Sequence, residues 1–174
     1  MAQHNPDASM KHADPYKEVN LDTDVSPEQK IQDLSDFMKK YLLFHTNAES
    51  GKTHDLASDS HINISFLNSS GEWASVSGTA RVITNRSLVE KHYGAHLKAW
   101  LGDLQDGVHD GGVDDPRIGI IRTKMITAHY GFPQKSRIDQ IAEVAQGIAT
   151  GKPAVVNKLR EISEAEVRQW RSSH

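Results

Sequence analysis

Two neighbouring stretches of the chain alternate between apolar and polar residues, and the segments around them switch to helical spacing. Ile62, Ile64 and Phe66 alternate with Asn63 and Ser65, the period of a half-buried strand. Asn68-Ser69-Ser70-Gly71 is turn chemistry. From Trp73 to Ile83, Trp73, Ser75, Ser77 and Thr79 share one face, and Ala74, Val76 and Gly78 share the other. The two runs predict an antiparallel hairpin, with Gly78 allowing a close backbone approach or a bulge. Upstream, Ser26-Pro27-Glu28-Gln29 is a capped helix start, and Ile31, Leu34, Phe37 and Met38 mark one face of a helix over 26–40. Tyr41 to Phe44 is a short apolar run suited to a strand, and Ser50 to Ser58 suits a short helix.

Downstream, Thr84-Asn85 caps a helix carrying Leu88, Val89, Tyr93, Leu97 and Trp100 or Leu101. A Gly/Asp-rich loop covers 102–116, and Arg117 to Tyr130 predicts a final long strand. Beyond Gly131 and Pro133, one helix is predicted from Ser136 to Ala149, ending at Gly151. A second begins at Ser163, whose capping box closes at Glu166. Residues 1–25 are polar, contain Pro6 and Pro15, and predict a disordered tail. Strands with helices appended give an α+β class, not a parallel βαβ sheet.

Composition narrows the function. A chain of 174 residues suggests one domain, here 26–172. A net charge of −3 argues against nucleic-acid partners held through phosphates. With no cysteine there is neither a disulfide framework nor thiol chemistry, which fits a reducing, cytoplasmic setting. No run is apolar enough for a signal peptide or a membrane span. The 10 histidines are scattered, and the loop of His109, Asp110, Asp114 and Asp115 lacks the spacing of a calcium site. No metal is expected.

The stretch that carries candidate chemistry is Leu42-Leu43-Phe44-His45-Thr46-Asn47-Ala48-Glu49-Ser50-Gly51-Lys52-Thr53. It reads as a buried strand, a polar turn and a helix start bearing a lysine. Backbone N–H groups and the helix dipole favour an anion there. Gly51-Lys52-Thr53 matches the tail of a nucleotide P-loop, but Thr46 stands where that motif needs its first glycine. A flavin site is the second reading: His45 and Thr46 at the strand end meet the ring and ribityl edge, while Ser50, Gly51 and Lys52 take the phosphate. A solvated helix start with a serine cap is the third.

Several motifs together resemble the flavin-binding split barrels of the pyridoxamine-phosphate-oxidase-like superfamily, in its general-stress-protein branch with the fungal blue-light-induced members. They are Phe44-His45-Thr46-Asn47 with Ser50-Gly51-Lys52, Asn63-Ile64-Ser65-Phe66, Ser70 to Gly78, Lys98-Ala99-Trp100, and Asp115-Pro116-Arg117-Ile118. The resemblance spans roughly residues 26–172. It implies an antiparallel split β-barrel over 41–130, C-terminal helices over 134–172, and a homodimer with the flavin (FMN, with FAD also admissible) in the cleft between subunits. It implies flavin contacts from His45, Thr46, Ser50, Gly51, Lys52, Trp73 and Trp100. His45 is the candidate base because histidine titrates near neutrality, with a ring contact or a structural role as alternatives.

The resemblance also implies a gap. The family's opening barrel strands, with a Ser-Arg pair that helps bind flavin, would stand between Lys40 and Tyr41. Two or three strands with their turns need about thirty residues, and Lys39-Lys40 runs straight into Tyr41-Leu42. Missing strands leave unpaired N–H and C=O groups at the sheet edge. The expected function is therefore a flavin-dependent oxidoreductase of stress or light response, a non-catalytic flavin-binding stress protein, or a shortened form with weak or no flavin binding. Pyridoxamine oxidation is not expected: Arg160, Arg168 and Arg171 fall on a helical pattern with Glu161, Glu164 and Glu166, which surface pairing explains.

Overall fold

The computed structural model describes residues 14–38 and 44–173. The expected joint at Lys40–Tyr41 and the first thirteen residues of the expected tail lie outside the described residues. The fold is α+β: an antiparallel, incomplete half β-barrel flanked by helices. In chain order the elements are α1 Pro15–Asn20, α2 Pro27–Met38, β1 Phe44–Asn47, α3 Gly51–Ser58, β2 His61–Leu67, β3 Trp73–Ile83, α4 Arg86–His92, α5 Leu97–Leu101, β4 Ile118–Pro133, α6 Arg137–Thr150, β5 Asn157–Ile162 and α7 Glu164–Ser173. The sheet order is β1-β4-β3-β2, with β5 on the distal part of β4. Phe44 to Asn47 pair with Ile121 to Ile118, and Ala128 to Pro133 pair with Ile162 to Asn157. Among the described residues, no helix is long and apolar enough to cross a membrane.

The hairpin follows the alternation. Ala74, Val76, Gly78 and Ala80 are the buried positions of β3, and a Cβ on Gly78 would stand 2.2 Å from the Lys124 carbonyl oxygen. At the turn, Asn68 Oδ1 accepts the N–H groups of Ser70 and Glu72. Helix α2 starts where Ser26 Oγ accepts the Gln29 N–H, and it buries Ile31 and Leu34. Helix α6 ends at Gly151 in the left-handed region, φ 69°.

Three elements depart from expectation. The single helix after Asn85 is two helices: Asn85 caps α4, but Tyr93 turns extended before Gly94, and its hydroxyl donates to the Gly111 carbonyl at 2.9 Å. Strand β1 is Phe44–Asn47, and positions 41–43 of the expected strand run lie outside the described residues. Pro15–Asn20 is helical inside the stretch read as a tail. Its buried Asn20 donates to the Tyr16 and Ala154 carbonyls and accepts the Val156 and Asn157 N–H groups. Strand β5 stands where no strand was expected. Its buried positions are Arg160 and Ile162, and a buried arginine breaks the apolar alternation that marks a strand.

The chain divides into two units, with β2, β3 and β4 contributing residues to both. One holds Met1–Leu34, Ile64–Val76 and Thr127–His174. At its centre Arg160, expected as a surface helix residue, is 8% exposed. Its Nε donates to Asp22 at 3.1 Å, its Nη1 to Asp33, and its guanidinium stacks 4.9 Å from the Phe132 ring centroid. Tyr130 beside it donates to the Lys30 carbonyl at 3.0 Å. The segment after α1 joins β5 through a Leu21–Leu159 bridge and the Asp22 N–H on the Leu159 carbonyl. Arg168, by contrast, pairs with Glu164 on the surface of α7, as the helical spacing suggests.

The other unit holds Ser35–Asn63 and Ser77–Ile126. Its core is Val89, Leu97, Ile118 and Ile120, with Leu88, Tyr93 and Leu101 packed on them. Replacing Arg160 with Met keeps the stacking bulk on Phe132 but leaves the Asp22 carboxylate, 11% exposed, without its guanidinium. Breaking a buried pair this way costs about 3 kcal/mol, so urea unfolding of Arg160→Met should show a clearly lowered midpoint. An unchanged midpoint would place the hub's stability elsewhere.

Candidate functional site

Antiparallel pairing sets His45 opposite Ile120 and Thr46 opposite Gly119. The close approach at Gly119 has a local cause: a Cβ there would lie 2.9 Å from Val82 Cγ1 and 3.4 Å from Thr46 Cγ2. Beyond β1 the chain turns on Asn47, whose Oδ1 accepts the Glu49 N–H and whose carbonyl accepts the Thr53 hydroxyl. The turn delivers Ser50 to the start of α3. Ser50 makes no side-chain cap there; its hydroxyl instead shares a 3.2 Å hydrogen bond with Thr53 Oγ1. The first N–H groups of a helix have no intrahelical acceptor. Those of Gly51 and Lys52 therefore face outward without a serine cap, in a first turn that carries no acidic residue. A Cβ on Gly51 would meet nothing within 4 Å. Lys52 is exposed.

His45, Thr46 and Trp100 line one cavity of about 400 Å³, within the size range of cofactor sites. Phe44, Leu97, Leu101 and Ile118 supply its apolar wall, and Asn47 and His96 its remaining polar groups. Trp100 is 84% exposed. His45 Nε2 is buried without a hydrogen-bond partner among the described residues. Burial holds the His45 imidazole below its ordinary pKa; a hydrogen bond toward the His92 carbonyl opposes this, and the His96 and His92 charges add to the lowering. His45 is therefore a neutral ring at neutral pH.

A second cavity, about 460 Å³, shares Phe44 and includes His92, Arg122 and Thr123. Thr123 Oγ1 is likewise buried and unpartnered. His92 and His96 stand four residues apart, a spacing that sets the pair apart in the sequence, and they line the second and the first cavity.

One ion pair holds these walls. Asp115 is fully buried and accepts the Gly111 N–H at 2.7 Å, the Arg117 N–H at 2.9 Å and the Arg117 guanidinium at 2.7 Å. Arg117 donates onward to the Leu101 and Gly102 carbonyls at the end of α5, and its own carbonyl accepts the Ala48 N–H just past β1. Arg86 ties the Asp115 and Ile118 carbonyls from α4. The Arg117 guanidinium and the Gly111 N–H hold the Asp115 carboxyl down at about 2.

The fit to a flavin divides in two. A planar ring suits the cavity that His45, Thr46 and Trp100 line with the apolar wall of Phe44, Leu97, Leu101 and Ile118. The uncapped N–H groups and open space at Gly51 suit a phosphate. Lys52 is not among the residues lining the cavity, nor is Trp73. Trp73 belongs to the other unit, where its indole lies against Gly131: a Cβ there would come 2.8 Å from Nε1. Among the described residues, no cluster of ligating side chains is placed to hold a metal ion.

The pattern of the family described as "Pyridoxamine 5'-phosphate oxidase like" matches residues 31–154. Protein bli-3 of Neurospora crassa is 57% identical over 202 aligned positions, which take in 98% of this chain and 97% of that protein. Those 202 positions exceed the 174 residues of this chain by 28, so at least that many residues of the relative face gaps here. Among solved structures, a protein assigned as general stress protein 26 in Jannaschia sp. CCS1 is 17% identical with a TM-score of 0.46, covering 70% of this chain and 72% of that one. General stress protein 26 of Bacillus anthracis str. Sterne is 20% identical with a TM-score of 0.42, covering 51% and 62%.

Two titrations check the electrostatics. Because the folded pKa of Asp115 is depressed, its stabilising contribution is complete above pH 3.8 and drains away as pH falls towards about 2. Asp115→Asn should lose about 3 kcal/mol at neutral pH and flatten the acid limb of the stability curve; an unaltered limb would contradict the assignment. The His45 ring should titrate below 6.5 by NMR, with stability declining as pH drops beneath that value.

Proposed function

Because this chain belongs to the pyridoxamine 5'-phosphate oxidase-like family of flavin-binding split barrels, and carries that barrel in incomplete form, we propose that it acts as a non-catalytic, weakly binding flavin protein of the general-stress type. The observation that carries this reading is the cavity of His45, Thr46 and Trp100 beside an uncapped helix start, in a chain short of its relative by at least 28 positions. On this reading the gap falls at the Lys40–Tyr41 joint and removes the opening strands together with their Ser-Arg flavin contact.

Each residue has a stated role. Neutral His45 and Thr46 meet the ring and ribityl edge. The N–H groups of Gly51 and Lys52 take the phosphate with the Ser50 hydroxyl, and the Lys52 ammonium adds a charge-assisted contact. Trp100 covers the ring. A contact from Trp73 rests on the family resemblance alone. FMN is the expected ligand, and FAD presents a phosphate at the same place. When bound, the flavin supplies one- and two-electron chemistry. The chain adds little to steer it: the residues lining the cavity include no carboxylate. A buried neutral imidazole is a poor proton acceptor, which favours binding over turnover. Two copies pair around the site on this reading, covering the exposed Trp100, and the protein works in the cytoplasm.

Titration with FMN and with riboflavin, followed by flavin and tryptophan fluorescence, tests the assignment. FMN should bind with Kd of about 10 μM or weaker. Lys52→Glu should weaken FMN at least tenfold while leaving riboflavin, which lacks the phosphate, unchanged. Trp100→Ala should weaken both. Flavin retained through purification at sub-micromolar affinity, or FMN binding indifferent to Lys52→Glu, would sink the proposal. Acceleration of nicotinamide-nucleotide oxidation well beyond free FMN would sink its non-catalytic part.

A further inference from the structure

The second cavity sets an apolar floor beside an arginine that no neighbour holds. It encloses about 460 Å³, within the size range of small-molecule sites. Ile120 and Ile121, both buried, form the floor. Phe44, half-buried, stands on β1 opposite Ile121. Leu88 and His92 come from α4, four residues apart and so on one side of that helix. Arg122 is exposed and stands at the rim. All of these residues belong to one unit.

Most described arginines are tied down. Arg86, Arg117 and Arg137 donate to backbone carbonyls, Arg160 donates to Asp22 and Asp33, and Arg168 pairs with Glu164. Among the described residues the Arg122 side chain has no hydrogen bond and no ion pair. The described residues lining its cavity include no carboxylate. A guanidinium is a planar fork that takes the two oxygens of one carboxylate together. It is weakly hydrated beside an ammonium, which suits it to the edge of an apolar hollow.

We propose that this cavity binds an apolar monocarboxylate, its carboxylate on Arg122 at the rim and its hydrocarbon body over Ile120, Ile121, Leu88 and Phe44. The site shares Phe44 with the cavity of His45 and Trp100 among the described residues, and it does not rest on the flavin reading. Charge and shape select this class. A neutral apolar molecule fills the floor and leaves the guanidinium unused. A phosphate dianion needs more donors than one fork. The helix end at the cavity is the C-terminal end of α4, at His92, which offers carbonyls and not N–H groups. One cation over an apolar floor therefore matches one negative charge on an apolar body.

Titration of the labelled full chain with butanoate, hexanoate and octanoate, followed by backbone amide shifts, reads the site. Octanoate should move the amides of Leu88, His92, Ile121 and Arg122. Affinity should rise about fourfold for each added CH₂ as the chain is buried. Octanol and octyl phosphate should each bind at least tenfold more weakly than octanoate. Arg122→Gln should weaken octanoate at least tenfold and leave octanol unchanged. Its circular dichroism melt should match the wild type, because the side chain it loses holds nothing, which separates lost binding from lost folding. Octanoate affinity indifferent to Arg122→Gln, or octyl phosphate binding as tightly as octanoate, would overturn the proposal. So would an affinity that ignores chain length, shifts confined to Thr46, Leu97 and Trp100, or no shifts at millimolar octanoate.

Discussion

A single buried carboxylate sets the geometry of the candidate site. Asp115 lies out of water and is neutralised by Arg117, whose remaining donors end α5 and whose carbonyl anchors the exit of β1. A charge this deep is tolerable only when paired and fully hydrogen-bonded. The pair therefore behaves as a staple. Without it, the last carbonyls of α5 lose the Arg117 donors and the Gly/Asp-rich loop is held at Gly111 by the Tyr93 hydroxyl alone. Position along the chain explains why one pair does so much: 115 and 117 sit just before β4, the strand that meets β1.

Much of this was readable in advance where the physics is local. The β2–β3 hairpin, the crowding at Gly78, the left-handed stop at Gly151 and the capping box at Ser163 each follow from a few adjacent residues. What escaped depends on partners far away in sequence. Strand β5 was hidden because Arg160 occupies a buried position, and only Asp22, Asp33 and Phe132 make that affordable. Helix α1 was hidden because its stability comes from Asn20 reaching residues 154, 156 and 157. At the site, the motif around Phe44 to Lys52 does form a strand end followed by a helix start. His96 and the Asp115–Arg117 staple carry no local signature of their place in it.

The half barrel ties the two less ordinary features together. A closed barrel satisfies its own edges, whereas the barrel here is incomplete and at least 28 residues of the fungal relative face gaps in this chain. It leaves a cofactor-sized slot with an exposed tryptophan on one unit and a bare aliphatic helix face on the other. Exposed apolar surface of this kind is costly for a lone chain. A loosely held flavin is the occupant proposed for the slot.

The most direct test of the flavin assignment maps where the ligand lands. Backbone amide shifts of the labelled protein, recorded during addition of FMN, should change at His45, Thr46, Gly51 and Lys52, together with the Trp100 indole N–H. Shifts confined to residues remote from β1, α3 and α5, or none at millimolar FMN, would contradict it.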